Sequence, residues 1–334
     1  MSLQIATREL APIRQTFDHI ARRLGEDRPA TRYQEGMYDL QPTESFHYRP
    51  VWDPKHDIYD AKRTRIELED FYVLLDARQF YYASYNISRA AMDASNRKAF
   101  ELLDQRGLIQ SLPQEWQDLI VSVVVPFRHY EWGANMNNWQ IADESFGAAM
   151  NSAAAFCAAD RLGMAQVIGR IGLHMDGQTG DALDRAKAEW MEGAHLQGLR
   201  KLVEDSFVLD DWFEVFFAQD LVMDGIFHPL LFEAFDERLS SNGGFGLSMV
   251  HELMRDWFAD CSKWVDGITK IVAASSDANK AFMTEWITTW RGRALEAAKP
   301  LAEKALGDGA EASLAVIDEK LVARLAKLGV EIAQ

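Results

Sequence analysis

Apolar positions recur at helical spacing along most of this chain. Leu10, Ile13, Phe17, Ile20 and Leu24 form a 3-4-3-4 stripe, which predicts a first helix ending near Gly25. Residues 28–62 break the rhythm. Pro29, Pro42, Pro50 and Pro54 recur there, with Tyr33, Tyr38, Phe46, Tyr48, Trp52 and Tyr59 between them. Prolines this frequent forbid a long helix. An extended chain so rich in rings cannot bury them on itself, so the stretch reads as an arm lying on its own body or on a partner. From Asp76, a plausible N-cap, the pattern turns helical again. Helices are predicted over 77–106, about 113–142 with a kink at Pro126, 145–173, 181–204, 209–238, 246–275, 277–306 and 311–331. Asn242-Gly243-Gly244 marks a break. Ser145–Ala159 carries no charged residue and has seven alanines after Gly147, which predicts a central helix buried on most sides. Strand-like alternation is nearly absent. The pattern predicts an all-α long-helix bundle with an extended N-terminal arm, divided as 1–70 (first helix and aromatic, Pro-rich arm) and 71–334 (helical domain).

Composition narrows the class. The 334 residues carry a formal charge of −16, which repels phosphate backbones and argues against a nucleic-acid binder or a membrane-surface protein. The longest apolar run, Leu119–Phe127, is interrupted by Ser122 and Pro126 and falls short of the ~20 residues of a membrane span. Met1–Gln15 holds Arg8, Glu9 and Arg14, so no apolar signal segment is expected. Two cysteines, Cys157 and Cys261, make neither a disulfide framework nor a zinc site by themselves. A reduced, cytoplasmic home follows as the expectation. Ten tryptophans favour wide packed interfaces, within the chain or with partners.

An all-α bundle raises the question of a di-iron site, which draws a Glu from each of two helices and a Glu-x-x-His from each of two others. Two such strings occur. Glu44-Ser-Phe-His47 lies between Pro42 and Pro50, where no regular helix fits. Glu192-Gly-Ala-His195 sits in a plausible short helix, without a helical second copy. His129, Glu131, Asn135 and Asn138 share a long helix. They read either as half of a metal or substrate site or as a polar seam whose carboxylate and amides satisfy one another, and the seam is favoured because no histidine stands at ligand spacing. His251-Glu252 lacks a second His at i+4, where Arg255 stands, so a charged face with Glu252 and Asp256 is expected. Asp205, Asp210, Asp211, Glu214, Asp220 and Asp224 lack calcium-loop spacing and read as a solvated or interface face. Gly243-Gly244-Phe245-Gly246 is no phosphate loop, no Gly-x-Ser-x-Gly elbow occurs, and Cys157 reads as an inert core thiol. No complete catalytic set emerges.

Several longer strings carry a resemblance. Ser45-Phe-His-Tyr-Arg-Pro-Val-Trp-Asp-Pro54, Arg78-Gln-Phe-Tyr-Tyr82, Gly133-Ala-Asn-Met-Asn-Asn138, Asp160-Arg-Leu-Gly-Met164 and Val203-Glu-Asp-Ser-Phe207 are similar to the small (beta) subunit of bacterial multicomponent phenol hydroxylases, soluble di-iron monooxygenases. So are Asp211-Trp-Phe-Glu214, Arg255-Asp-Trp257 and Trp264-Val-Asp266. The resemblance implies a ferritin-like subunit paired with a large di-iron subunit and a small third subunit, as a dimer of heterotrimers served by a regulatory protein and a reductase. It implies no cofactor in this chain. The large subunit's Asp-Glu-x-Arg-His signature, laid on Asp260-Cys-Ser-Lys-Trp264, puts Cys261 at the Glu and Trp264 at the His. Laid on Ala158-Ala-Asp-Arg-Leu162, it gives Ala159 and Leu162 and keeps Arg161. On this reading Cys261, Trp264, Ala159 and Leu162 are degenerate ligand positions, and Trp264 and Leu162 fill a dry interior.

The leading expectation is thus a non-catalytic subunit of a phenol or aromatic monooxygenase, in which the complex converts an arene with dioxygen and reductant. Its arm, 28–62, is expected to be ordered mainly by another subunit, anchored through Tyr48 and Trp52. Two alternatives stand beside it. One is an autonomous ferritin-like metal oxidase using Glu192, His195, Glu131 and His129, and the other is a helical scaffold without an enzyme partner.

Overall fold

Each helix begins and ends for a local reason. The computed structural model describes residues 16–25, 28–40, 49–51 and 53–332. Tyr48, Trp52 and the Glu44–His47 string lie outside them. Among the described residues every regular element is helical. Helix α1 spans Asp18–Leu24 and stops at Gly25, whose φ of 95° no other residue adopts easily. The expected arm contains a short helix, α2 (Arg32–Met37), because Pro29 precedes this segment rather than interrupting it. Thr31 and Gln34 form a reciprocal capping box there: Thr31 Oγ1 accepts from Gln34 N at 3.2 Å and Gln34 Oε1 from Thr31 N at 2.8 Å.

The described part of the arm makes contacts with the chain's own body, while the expected anchors Tyr48 and Trp52 lie outside the described residues. Tyr33 and Met37 pack with Ala149, and the Tyr33 hydroxyl accepts from Asp76 N at 2.7 Å. Arg23 pairs with Asp39 at 2.6 Å and Asp70 at 2.8 Å. Further on, Arg65 N donates to Asp211 at 2.6 Å. Asn279 accepts from Glu67 N at 3.0 Å and donates to Glu67 O at 2.7 Å.

Helix α3 spans Tyr82–Arg106, starting later than expected. Asp76 does not cap it, for its carboxylate is tied to Arg78 Nε at 2.9 Å; Ser84 Oγ accepts from Tyr81 N at 3.0 Å instead. Gly107 ends α3 at φ 58°, with Leu108 N reaching back to Leu103 O at 3.0 Å. Pro126 splits the next expected helix into α4 (Gln114–Val123) and α5 (Phe127–Glu144). Helix α6 is Ala148–Met175. Gly193 divides the following one into α7 (Asp181–Glu192) and α8 (Ala194–Ser206). Helix α9, residues 212–239, is opened by Asp211, which accepts from Phe213 N at 2.9 Å. Asn242 and Gly243 (φ 94°) interrupt the path into α10 (Phe245–Ser275). Helices α11 (Asp277–Leu306) and α12 (Ala310–Lys327) complete the chain's described helices.

The short 145–147 turn folds α6 antiparallel to α5, and the two pack along much of their length. Helix α9 threads between this hairpin and α10, α11 and α12. It is almost wholly buried and carries two π-turns, Phe217–Met223 and Leu230–Ala234. The stretch Trp212–Ser275 is long and apolar enough to cross a membrane by composition, yet its apolar window is 94% buried within the fold, as in a core helix. Trp212, Trp264, Trp290, Phe213, Phe216 and Phe217 fill the centre. Gly133 allows α5 to approach α8, since a Cβ there would stand 2.4 Å from Val203 Cγ1.

Candidate functional site

Helix α6 turns Cys157, Arg161, Met164 and Ile168 inward, a 4-3-4 spacing. A fully buried arginine in that row demands anions, and α5 and α9 supply them. Arg161 Nη1 donates to Glu131 Oε2 at 3.1 Å and lies 3.3 Å from His228 Nε2. Its Nη2 donates to Asp220 Oδ1 at 3.2 Å and to Asp224 Oδ2. The guanidinium also faces the Trp257 ring at 4.3 Å. None of Glu131, Arg161, Asp220, Asp224 and His228 is more than 2% exposed.

The π-turn at Phe217–Met223 builds this cluster. A π-turn stacks residues five apart, and Gln219 Nε2 accordingly donates to Asp224 Oδ1 at 3.0 Å. Asp224 also accepts from the Tyr130 hydroxyl at 2.6 Å, and Asp220 from Asn138 Nδ2 at 3.0 Å. Burial pushes the Asp220 carboxyl up to about 7, partly opposed by Arg161. Burial works against the Arg161 charge, but Asp224 and Glu131 outweigh it and hold the proton firmly.

On the neighbouring faces, α6 and α10 present two strings in the same register, Cys157-Ala-Ala-Asp160 and Cys261-Ser-Lys-Trp264. Cys157 Sγ lies 3.8 Å from Cys261 Sγ. Burial pushes the Cys157 thiol well up, so it stays protonated. Asp160 is held by Tyr85 Oη at 2.9 Å, Arg89 Nη2 at 2.8 Å and Trp257 Nε1 at 2.9 Å. Trp264 is fully buried, with its ring 5.2 Å from that of Phe216. Ala159 is exposed and Leu162 is 42% exposed, which corrects the expectation that Leu162 fills a dry interior. A shift of two residues along α6 rotates the side chain by ~200°, so Cys157 and Asp160 face inward where Ala159 and Leu162 were expected.

These residues do not fit a di-iron centre. A metal between Glu131, Asp220 and Asp224 would have to share its position with the Arg161 guanidinium. Among the described residues no group of three His, Cys, Asp or Glu side chains converges as metal ligands.

The other sequence candidates scatter. Glu192 is exposed at the end of α7, while His195 starts the next helix and bonds Ser122 O at 3.0 Å, so the string is not one helical face. His129 packs against Trp190 with the rings tilted, 5.6 Å between centroids, and burial next to Arg128 lowers its pKa to about 4. Asn135 donates to Ala158 O at 2.7 Å. The polar seam on α5 is therefore present, but α6 and α9 satisfy it rather than its own members. Asp220 and Asp224 leave the expected solvated acidic face and are buried. His251 is fully buried against Asp236 Oδ1 at 2.7 Å, and Arg255 bonds Asp236 Oδ2 at 2.8 Å rather than Glu252 or Asp256. Sequence reasoning kept Arg161 only as a family remnant. The signal that marks it is an arginine in the inward row of an otherwise uncharged helix face.

The profile of the methane/phenol/alkene hydroxylase family matches residues 52–307. The chain is 45% identical to the phenol 2-monooxygenase oxygenase component DmpL of Pseudomonas sp. strain CF600, over 99% of each chain. It is 38% identical to the phenol 2-monooxygenase oxygenase component MhpL of Acinetobacter pittii strain PHEA-2, over 99% of this chain and 98% of that one. The fold superposes on a chain from the xenon-pressurised crystal structure of phenol hydroxylase from Pseudomonas sp. OX1 with a TM-score of 0.93, at 42% identity over 98% of this chain and 99% of that one.

Proposed function

The chain belongs to the methane/phenol/alkene hydroxylase family, and from that premise we propose that it is the non-catalytic small subunit of a phenol hydroxylase-type monooxygenase. It works as part of a monooxygenase complex. That complex inserts one atom of dioxygen into phenol or a related arene, and reductant takes the other to water. The irons belong to a homologous large subunit, with a small third subunit, a regulatory protein and a reductase completing a cytoplasmic system built on a dimer of heterotrimers. This chain's part is to fold a rigid helical body against the large subunit.

One observation carries the reading: a guanidinium stands between the carboxylates where a metal would have to sit. The autonomous metal oxidase would need Glu192 and His195 beside Glu131 and His129, and the fold keeps these apart. The bare scaffold is disfavoured by full-length kinship to oxygenase components. A partner surface is available on α5, where Trp132, Met136 and Trp139 share one face at 51%, 45% and 47% exposure. The test is co-expression with a di-iron large subunit of this family, followed by mass and iron content. Iron should follow the partner. Two tightly held irons on this chain alone would overturn the proposal.

A further inference from the structure

We propose that Arg161 is a tethered substitute for a metal ion: the cluster around it is a cation cage, and the guanidinium is its permanent occupant. This rests on the reading that the chain takes no iron, and it accounts for why an acidic cage persists without one.

The donors are those of a cation site. Glu131 comes from α5, and Asp220, Asp224 and His228 come from α9. Their inner atoms converge on two guanidinium nitrogens within 3.3 Å. Carboxylate oxygens with one imidazole are donor types that divalent manganese, iron and zinc accept, but with the guanidinium between them they stand apart rather than converging as metal ligands. The occupant does not saturate the cage. Asp220 Oδ2 and His228 Nδ1 have no hydrogen-bond partner, and neither has Arg161 Nε. Three carboxylates thus surround one guanidinium, and Glu131 Oε1 also lies 3.0 Å from His228 Nε2. The cage is also dry and closed, because Trp257 covers the guanidinium face and is itself 2% exposed. Buried carboxylates without a cation are strongly unfavourable. Taking the guanidinium away therefore leaves a cavity that selects for a replacement cation.

The full chain, unaltered and as Arg161→Ala, is stripped with chelator and titrated with Mn2+. Electron paramagnetic resonance counts the bound ion and thermal unfolding reads stability. The Arg161→Ala chain should bind one Mn2+ and gain about 4 °C in Tm at a hundredfold excess over its dissociation constant. The unaltered chain should show neither effect, and adding Asp224→Asn to the variant should abolish binding. A folded Arg161→Ala chain that ignores Mn2+ overturns the proposal. Should that variant fail to fold, Arg161→Lys and Arg161→Met decide it. The lysine keeps the charge and should hold a clearly higher Tm than methionine of similar length; equal Tm values overturn the proposal. Iron on the unaltered chain would sink the non-catalytic reading itself, an outcome separate from a variant that binds nothing.

Discussion

Replacing Trp264 and Leu162 by alanine, one at a time, separates the two residues that the ligand signature paired. Trp264 is fully buried, with Phe216 edge-on at 5.2 Å and the Arg78 guanidinium at 5.6 Å from its ring. A buried tryptophan covers roughly 200 Å2, which at about 25 cal/mol per Å2 gives roughly 5 kcal/mol for the whole side chain. Alanine retains a little of this, while the cavity adds a cost, so Trp264→Ala should lose about 3–5 kcal/mol. Its indole Nε1 has no hydrogen-bond partner, so the loss is one of packing and ring contacts rather than of a hydrogen bond. Leu162 is 42% exposed on the outer face of α6 and should lose no more than about 0.5 kcal/mol. Urea unfolding of the full chain measures both. A Trp264→Ala chain as stable as the unaltered one, or a Leu162→Ala loss of the same size as Trp264→Ala, would refute the assignment of the interior to α10.

Two further expectations follow from buried polar groups. Burial raises Asp220 and Glu144 to about 7, so the folded chain holds extra protons between about pH 4 and about pH 7. Their contribution to stability is complete below the unfolded carboxyl range, is lost as pH rises through about 7, and is flat above. Urea midpoints across that range should show a fall that Asp220→Asn with Glu144→Gln makes shallower, and an unaltered slope in the double variant refutes it. Asn279→Ala removes both bonds to the Glu67 backbone and should cost about 1–3 kcal/mol. Limited proteolysis should then cut near residue 67 sooner than in the unaltered chain; an unchanged cleavage pattern counts against the tether.

The helical body was legible because its apolar spacing is long and regular, and the break at Asn242-Gly243 because glycine permits φ 94° there. Boundaries failed where a side chain competed locally. Asp76 looks like a cap but bonds Arg78, and Gly193 looks like one residue inside a helix but ends one. The short α2 was hidden by surrounding prolines, although Thr31 and Gln34 spell its capping box. The candidate site was half visible. Glu131 and Asn138 stood out on α5, yet their partners lie dozens of residues away in sequence, on α6 and α9. Asp220 and Asp224 passed for surface acids because their burial depends on a π-turn that no local spacing announces.

Four inward positions of α6 and α10 are filled in different ways, and each follows from the space around it. Cys157 and Cys261 are small enough to face each other at 3.8 Å without a bond. Trp264 fills volume outright. Asp160 faces Arg89, Tyr85 and Trp257, which bond its carboxylate oxygens. Glu131, Asp220 and Asp224 are buried on α5 and α9 and meet Arg161 there. Replacing such a cluster with hydrocarbons is commonly neutral or stabilising, so the ion network is a poor argument for stability. What it supplies is direction. Four helices meet in the buried core, and apolar packing alone would permit several rotations of α6 about its axis. Only one rotation points Arg161 at donors from both α5 and α9, and that rotation also sets Leu162 on the outer face and Cys157 against Cys261.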